Sequence, residues 1–156
     1  MRILTDTNLL LRSVDDGHAQ QAVAAAAIEQ CPTMGHELLI VPQVLYEFWV
    51  VATRPTSQNG LGLTTEEAYS ETRELRKALT LLRDERKIFD HWIDLVKRYD
   101  VKGKNAHDAR LVAAMERHDV THILTFNVKD FERYQGILAI QPDDLLDGRV
   151  SLNGKG

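Results

Sequence analysis

Hydrophobic and polar positions along the chain alternate between short apolar runs and longer stretches with helical spacing. Five apolar runs predict strands, and five longer stretches between or after them predict helices. The predicted strands are residues 2–5, 38–41, 78–82, 122–126 and 137–140, and the predicted helices cover about 18–30, 43–53, 64–77, 85–99 and 107–118. Such alternation predicts an α/β domain in which helices cover a parallel sheet.

Turn-forming residues and a helix cap complete this outline. Thr64 or Thr65 should cap the third predicted helix, because acidic residues fill its first turn. Residues 54–62 are rich in Pro, Gly and Ser, so we expect a flexible loop there. Residues 147–156 lack apolar periodicity, and we expect them to form a flexible C-terminal tail after a domain that covers residues 1–146.

Composition indicates a single globular domain in a reducing compartment. The chain has 156 residues, of which 44% are hydrophobic, and this is the usual size of one domain with its own core. A single cysteine, Cys31, excludes an internal disulfide and a Cys-rich zinc cluster. The N-terminal residues show no secretory cleavage pattern, and no apolar run approaches the ~18 residues of a membrane span. We therefore expect a soluble cytoplasmic protein.

One carboxylate lies in an otherwise apolar helical stretch. In the sequence LIVPQVLYEFWVVA, residues 39–52, Glu47 has the only charged side chain, and it shares a helical face with Phe48. An ionised carboxylate leaves water at a high cost unless it is paired with a cation or binds a metal. Glu47 therefore indicates a metal site or, as the alternative, a buried ion pair with Arg54 or Arg12.

Further acids follow predicted strands or begin a predicted helix. Asp6 directly follows the first strand, Asp108 lies on the apolar side of NAHDARLVAAM, and LTFNVKDF places Asp130 after the fourth strand. Ligands of open parallel sheets bind beyond the carboxyl ends of the strands, so these acids and Glu47 should meet at one edge. Each acid alone has a structural explanation. Asp6 and Asp108 can stabilise helix N-termini, and Asn127 and Asp130 can shape a turn.

The convergence of several acids predicts a bound cation. Carboxylates at one edge repel each other unless a cation lies between them, and oxygen ligands select Mg²⁺ or Mn²⁺ rather than zinc. The histidines lack a spacing such as H-E-x-x-H, and no phosphate-binding glycine loop is present. The net charge of -4 opposes nucleic-acid binding unless basic side chains surround the acidic cleft. Six residues are candidates for such a rim: Arg12, Arg54, Lys102, Lys104, Lys129 and Arg133.

Four segments of the chain form a specific pattern through their order and spacing. They are ILTDTNLLLR, VPQVLYEFWVVATRP, HDARLVAAMERHDVTHILTFNVKDF, and the T-x-N-x-x-D-F ending of the third. Over about residues 1–145 the chain thereby resembles the PIN-domain ribonucleases, and most of all the VapC toxins of toxin-antitoxin pairs. The resemblance implies a three-layer α/β/α fold with a central, mostly parallel sheet. It places the metal-binding acids on Asp6 and Asp108, with Glu47 as the third acidic member.

The resemblance also implies roles for residues around these acids. Asn8 and Thr125 match the polar residues that surround the acids in the family. Many relatives carry an aspartate two residues after this threonine, where the chain has Asn127, and the next acid is Asp130. Which of the two fills the fourth position stays open. The implied activity is Mg²⁺- or Mn²⁺-dependent hydrolysis of RNA that leaves a 3'-hydroxyl and a 5'-phosphate, by a homodimer that a cognate antitoxin protein inhibits.

Two other functions fit parts of this pattern. A haloacid-dehalogenase-like phosphatase also begins with a strand and an aspartate, but the acid that it needs two residues later is replaced by Asn8. A PIN-like RNA-binding or scaffold domain with impaired catalysis remains an alternative because of Asn127. Metal-dependent cleavage of RNA would separate this alternative from an enzyme.

Overall fold

A five-stranded parallel sheet lies between two groups of helices in a computed structural model that describes residues 1–150. The strands are β1 (Arg2–Thr5), β2 (Glu37–Ile40), β3 (Thr80–Leu81), β4 (His122–Leu124) and β5 (Leu138–Ile140). Their order in the sheet is β3-β2-β1-β4-β5, and every neighbouring pair is parallel. The predicted three-layer α/β fold with a parallel sheet is confirmed, and each predicted strand is present.

The helices divide into two packed groups. Within the described residues they are α1 (Thr7–Ser13), α2 (Gln21–Gln30), α3 (Pro42–Thr53), α4 (Thr65–Ala78), α5 (Lys87–Arg98), α6 (Asn105–Arg117) and α7 (Pro142–Leu146). Helix α1 packs on α2 and α3, α3 packs on α4, and α2 packs on α7. Helix α5 packs on α6. Right-handed crossovers between parallel strands place these two groups on opposite faces of the sheet.

The sequence pattern does not predict helices α1 and α7. In α1, three consecutive leucines, Leu9, Leu10 and Leu11, are all buried, so no alternation of polar and apolar residues marks the helix. Helix α7 has only five residues, which is too short for a helical period to show. The predicted cap of α4 is confirmed, because Thr64 and Glu67 form a reciprocal capping box.

Residues 54–62, which the sequence predicts as a flexible loop, fold back on the end of α3. The backbone amide of Leu61 donates to the carbonyl oxygen of Val51 at 3.0 Å. Gly60 lies so close to Arg54 that any Cβ atom would collide with the Arg54 carbonyl group. The composition of this segment therefore reflects a tight turn against the helix.

The described part of the chain ends shortly after α7. Helix α7 ends at Leu146, where the sequence predicts the end of the domain. The predicted flexible tail falls mostly on residues 151–156, which lie outside the described residues, so this boundary stays a prediction. Within residues 1–150 no helix is long and apolar enough to cross a membrane.

The strand order determines where a ligand can bind. From β1 the chain proceeds to β2 and β3 on one side, and then returns to β4 and β5 on the other side. The carboxyl ends of β1 and β4 therefore flank the point at which the order reverses, and ligands of parallel sheets bind at such points. Thr5 of β1 pairs with Leu124 of β4, so Asp6 and Thr125 follow side by side.

Candidate active site

The carboxyl ends of β1 and β4 open into a cleft with a volume of about 540 Å³. Each acid that the sequence indicates lines this cleft: Asp6, Glu47, Asp108 and Asp130. Asn8 and Asn127 also line it, and the buried Thr125 adjoins Asp6. The structure therefore brings the predicted site residues together from both groups of helices.

Asp6 is held by three hydrogen bonds. Its Oδ1 atom caps α1 by accepting from the backbone amide of Thr7 at 2.7 Å. Its Oδ2 atom accepts from the Thr125 hydroxyl at 2.8 Å and from the Asn8 side-chain amide at 2.9 Å. A carboxylate oxygen can accept two bonds, so Oδ1 keeps one lone pair for a ligand. Asp6 is thus both a helix cap and a candidate ligand, and the two interpretations are compatible.

Asn8 and Thr125 connect the ends of the two strands around Asp6. The Asn8 amide also donates to the Thr125 hydroxyl oxygen at 3.1 Å, and Asn8 Oδ1 accepts from the backbone amide of Phe126 at 3.2 Å. The backbone amide of Asn127 donates to the same hydroxyl oxygen at 3.0 Å. These bonds fix the Asp6 carboxylate between β1 and β4.

Glu47 lies half-buried one turn into α3, where it accepts two hydrogen bonds. Its Oε2 atom accepts from the Thr7 hydroxyl at 2.7 Å, and its Oε1 atom accepts from the Gln43 side-chain amide at 2.9 Å. Among residues 1–150 it makes no ion pair, and Arg12 instead lies 3.9 Å from Asp15. The ion-pair explanation of Glu47 therefore has no partner in the described chain.

Asp108 lies half-buried in the first turn of α6, and no group in the described chain donates a hydrogen bond to its carboxylate. Burial raises its pKa from the usual 3.8 to about 7, and the charges of Asp6 and the other two acids add to this effect. Arg133 acts in the opposite direction. Helix α6 begins at Asn105, so Asp108 is its fourth residue. Asp108 is therefore a carboxylate without a structural partner.

The same forces act on Asp6. Burial raises its pKa to about 6, although the hydrogen bonds from Thr125 and Thr7 lower it. The charges of Glu47 and Asp130 raise it further. Carboxylates that hold each other's pKa this high in a cleft indicate a functional site.

The fourth acidic position has two candidates in the short turn after β4. Asp130 and Asn127 both line the cleft. The negative charge of Asp130 raises the pKa of both Asp6 and Asp108, so Asp130 lies near enough to repel their carboxylates. Asn127 contributes its backbone amide to the Thr125 hydroxyl. Asp130 thus supplies the fourth negative charge, and Asn127 lies beside it.

The donor atoms in the cleft match a hard divalent cation in their chemistry. Asp and Glu oxygens are the ligands that Mg²⁺ and Mn²⁺ prefer, and they outnumber the one histidine of the lining, His107. A bound cation would also reverse the repulsion that raises the pKa of Asp6 and Asp108. Within residues 1–150, however, no three His, Cys, Asp or Glu side chains form a ready ligand shell. The cleft offers suitable donors without a preformed shell.

The basic residues that the sequence predicts for the rim do not line the cleft itself. None of the residues that line it in the described chain is a lysine or an arginine. Lys129 instead lines an adjoining cavity together with Asn127 and Asp130. Lys102 pairs with Asp100 on the surface at 3.1 Å. Arg133 is near enough to Asp108 to lower its pKa. The predicted basic rim therefore has support at Lys129 and Arg133, and for the other four residues it stays a prediction.

Sequence reasoning missed four polar residues of the cleft: Thr7, Gln43, Tyr46 and His107. The first two bind Glu47. The Thr7 hydroxyl binds Glu47, and Gln43 is one helical turn before Glu47 and binds it through its side-chain amide. The i, i+4 spacing of Gln43 and Glu47 was the available signal, because side chains four residues apart on a helix are neighbours. Thr7 gives no comparable signal, since its contact joins α1 to α3.

The sequence of the chain matches a known protein family. The family model of the PIN domain matches residues 3–137, a range that includes all four acids of the cleft. The chain belongs to the PIN domain family. No curated protein matches the sequence of this PIN domain.

Three solved structures have the same fold as this PIN domain at low sequence identity. A chain of VapBC2 from Rickettsia felis, solved with a promoter DNA fragment, has a TM-score of 0.66 at 14% identity, covering 90% of this chain and 98% of that one. A toxin-antitoxin complex from Klebsiella pneumoniae gives 0.61 at 22%, covering 90% and 97%. The sarcin-ricin-loop-cleaving toxin VapC20 from Mycobacterium tuberculosis gives 0.60 at 16%, covering 78% and 86%.

Proposed function

We propose that this PIN domain is a metal-dependent endoribonuclease that hydrolyses RNA phosphodiester bonds. The observation that carries the proposal is the convergence of four carboxylates on one open cleft at the reversal of strand order. Carboxylates that hold a divalent cation are a common means of phosphodiester hydrolysis. Membership of the PIN family and the fold shared with a loop-cleaving toxin support the same activity.

Asp6, Asp108 and Glu47 would hold Mg²⁺ or Mn²⁺, with Glu47 binding directly or through water. A bound divalent cation polarises the phosphodiester and lowers the pKa of an attacking water. Thr125 and Asn8 saturate Oδ2 of Asp6, which leaves the free lone pair of Oδ1 as its donor. Neither carboxylate oxygen of Asp108 accepts a hydrogen bond from the described chain, so both would be available to the cation.

Asp130 would be the fourth acidic residue of the reaction site. Its charge raises the pKa of Asp6 and Asp108, which supports Asp130 as the group that would accept a proton from an attacking water. The Asn127 side-chain amide can donate a hydrogen bond to a phosphate oxygen in the same cleft. With water as the nucleophile, no protein nucleophile is needed, and the products carry a 3'-hydroxyl and a 5'-phosphate.

We also propose that the chain is the toxin of a type II toxin-antitoxin pair that acts in the cytoplasm as a homodimer. The shared fold with two toxin-antitoxin assemblies supports an antitoxin partner. Tyr46 and Val50 of α3 are 66% and 55% exposed, and this apolar pair beside the cleft supports a homodimer. Co-expression with the neighbouring small reading frame tests the antitoxin: a product that neither binds nor inhibits the chain contradicts it.

RNA cleavage with and without metal tests the activity. We expect a fluorescent RNA to be cut in Mg²⁺ or Mn²⁺ and to stay intact in EDTA. The cut ends should be a 3'-hydroxyl and a 5'-phosphate, which enzymatic end-labelling identifies. Binding of RNA without cleavage in either metal would instead favour the alternative, a PIN-like RNA-binding or scaffold domain with impaired catalysis, for which Asn127 is the supporting feature.

Replacing Glu47 with glutamine should remove the response to metal and leave the metal-free fold nearly unchanged. Glutamine can still accept from Gln43 and can donate to the Thr7 hydroxyl, which is able to accept as well. We expect the melting temperature in EDTA to stay close to that of the parent, a difference of about 1 kcal/mol or less. Saturating Mg²⁺ should stabilise the parent by about 2.7 kcal/mol at a hundred times the dissociation constant, and the variant much less.

A large loss of stability for Glu47→Gln in EDTA would contradict the role of Glu47 as a ligand. Removing one charge from a buried ion pair costs roughly 3–5 kcal/mol, because the partner charge is left unpaired. Thermal melts in EDTA and in Mg²⁺ distinguish the two explanations, and Glu71→Gln, at a half-buried position of α4 outside the cleft, serves as the control.

A further inference from the structure

We infer that Gln43 is a positioning residue, which fixes the Glu47 carboxylate of α3 relative to the backbone that carries Asp108 on α6. The inference rests on the proposed function, since it concerns two of the proposed ligands. Gln43 is not a catalytic residue in this proposal, because its amide acts through Glu47 and the helix α6.

The Gln43 side chain is buried between the two helices and uses three hydrogen bonds. It is only 7% exposed and lies in the first turn of α3. Its Nε2 atom donates to Glu47 Oε1 at 2.9 Å and to the backbone carbonyl of His107 at 2.8 Å. Its Oε1 atom accepts from Nη1 of Arg110 at 3.1 Å. The Gln43 amide therefore binds three groups. They are the proposed ligand Glu47, the backbone of His107 beside the proposed ligand Asp108, and the positively charged Arg110 side chain.

The partners of Gln43 permit only one orientation of its amide. The guanidinium of Arg110 can only donate, so it requires the amide oxygen, and the His107 carbonyl can only accept, so it requires the amide nitrogen. The second N–H of that nitrogen then meets Glu47. The assignment of the amide atoms follows from the chemistry of its neighbours.

A neutral amide has a specific advantage at this position. Glu47 and Asp108 come from helices on opposite faces of the sheet, and their charges repel each other across the cleft. An arginine or a lysine in place of Gln43 would hold Glu47 by neutralising it, and so would compete with a bound cation. The Gln43 amide holds Glu47 and leaves its full negative charge available.

Arg110 supports this arrangement from outside the cleft. Its Nη2 atom lies 3.3 Å from Asp84 Oδ1, in the segment before α5, while Nη1 bonds to Gln43. The positive charge of Arg110 is thus separated from Glu47 by the neutral amide. We expect Arg110 to restrict the orientation of the Gln43 amide, although Arg110 itself contacts no proposed ligand.

The binding of Mn²⁺ to Gln43→Met tests the inference. Methionine keeps the length of the side chain and removes all of its hydrogen bonds. Changes in residues that orient metal ligands typically weaken affinity about 10- to 100-fold, so we expect at least about a tenfold loss of Mn²⁺ affinity, measured by electron paramagnetic resonance of free Mn²⁺. The Mn²⁺ concentration for half-maximal RNA cleavage should rise by a similar factor. Gln21→Met, which removes a bond to the Ser13 carbonyl far from the cleft, should leave both unchanged.

A second variant keeps the test decisive if Gln43→Met does not fold. Arg110→Met removes the bond to Gln43 Oε1 and the pair with Asp84, but it leaves the bonds from Gln43 to Glu47 and His107 in place, so we expect a smaller loss of Mn²⁺ affinity, about threefold. Arg117→Met is its matched control, because Arg117 pairs with Glu85 from the same helix and has no contact with Gln43.

The possible outcomes separate the inference from the proposed function. Parent-like Mn²⁺ affinity in a folded Gln43→Met, or in Arg110→Met where Gln43→Met is unfolded, overturns the role of Gln43 alone. A lower melting temperature with unchanged Mn²⁺ affinity shows a purely structural role and also overturns it. A parent protein that binds no Mn²⁺ overturns the proposed metal-dependent function, and the role of Gln43 with it.

Discussion

Replacing Asp108 with asparagine should abolish RNA cleavage and make the metal-free protein more stable at neutral pH. The folded protein raises the pKa of Asp108 from 3.8 to about 7, so it binds this proton more tightly than the unfolded chain does. The stability from that proton is complete below about pH 3.8 and is lost as the pH rises through about 7. Asparagine does not titrate, and it leaves no hydrogen-bond donor without its partner, because Asp108 accepts none.

The expected gain for Asp108→Asn grows with pH. At pH 8 we expect the free energy of unfolding in EDTA to rise by about 2 kcal/mol, roughly half of what the pKa difference implies, because the carboxylate is partly exposed and water screens it. Cleavage in Mg²⁺ should fall on the order of 100-fold or more, since even indirect changes around metal ligands reach that range. Urea unfolding between pH 4 and pH 8 and an RNA cleavage assay measure the two effects.

Asp94→Asn is the control for Asp108→Asn, because Asp94 lies exposed on α5 outside the cleft. Its free energy of unfolding should follow the parent at every pH, and its cleavage should be normal. Equal stability of the parent and Asp108→Asn from pH 4 to pH 8 would show that neither burial nor the other acids raise the pKa of Asp108.

Replacing Asp6 with asparagine should also abolish cleavage, but without the same gain in stability. Both oxygens of Asp6 accept hydrogen bonds: Oδ1 from the Thr7 amide, and Oδ2 from Thr125 and Asn8. An asparagine must place its amide nitrogen against one of these donors. A buried polar group without a partner costs about 1–3 kcal/mol, so at pH 8 in EDTA we expect Asp6→Asn to be less stable than Asp108→Asn by about that amount.

A double substitution tests this explanation of Asp6. In Asp6→Asn with Asn8→Asp, the new amide at position 6 can donate to the new carboxylate at position 8, which can still accept from the Phe126 backbone amide. Urea unfolding should show that the double variant recovers most of the stability lost by Asp6→Asn. Cleavage should stay absent, because the carboxylate has moved. A double variant no more stable than Asp6→Asn would contradict the hydrogen-bond explanation.

The sheet could be predicted from sequence because its strands are short apolar runs separated by helical stretches. Parallel pairing and right-handed connections then leave few arrangements, and the position of acids after strands indicated the edge that they share. Helix α1 could not be predicted in the same way. Its leucines are buried on all sides, so burial in the tertiary structure, rather than a periodic pattern, determines this helix.

Most of the contacts that orient the acids could not be predicted from the sequence. Thr7 and Glu47 are far apart along the chain, and their hydrogen bond depends on how α1 packs on α3. Gln43 joins α3 to α6 only because the two helices meet at one edge of the sheet. Closeness in sequence also did not decide which basic residues lie beside the acids. Lys102 is close in sequence to Asp108, but it pairs with Asp100 on the surface.

The acids of the cleft are distributed along nearly the whole chain, and this has a consequence for protein synthesis. A ribosome makes Asp6 and Glu47 early, but Asp108 and Asp130 follow only 61 and 83 residues after Glu47. At roughly 5–20 residues per second, that interval lasts on the order of several seconds. Until β4 is made and pairs with β1, a nascent chain lacks Asp130, and it has no Thr125 to orient Asp6. Each new molecule would therefore lack a complete cleft until synthesis has passed Asp130.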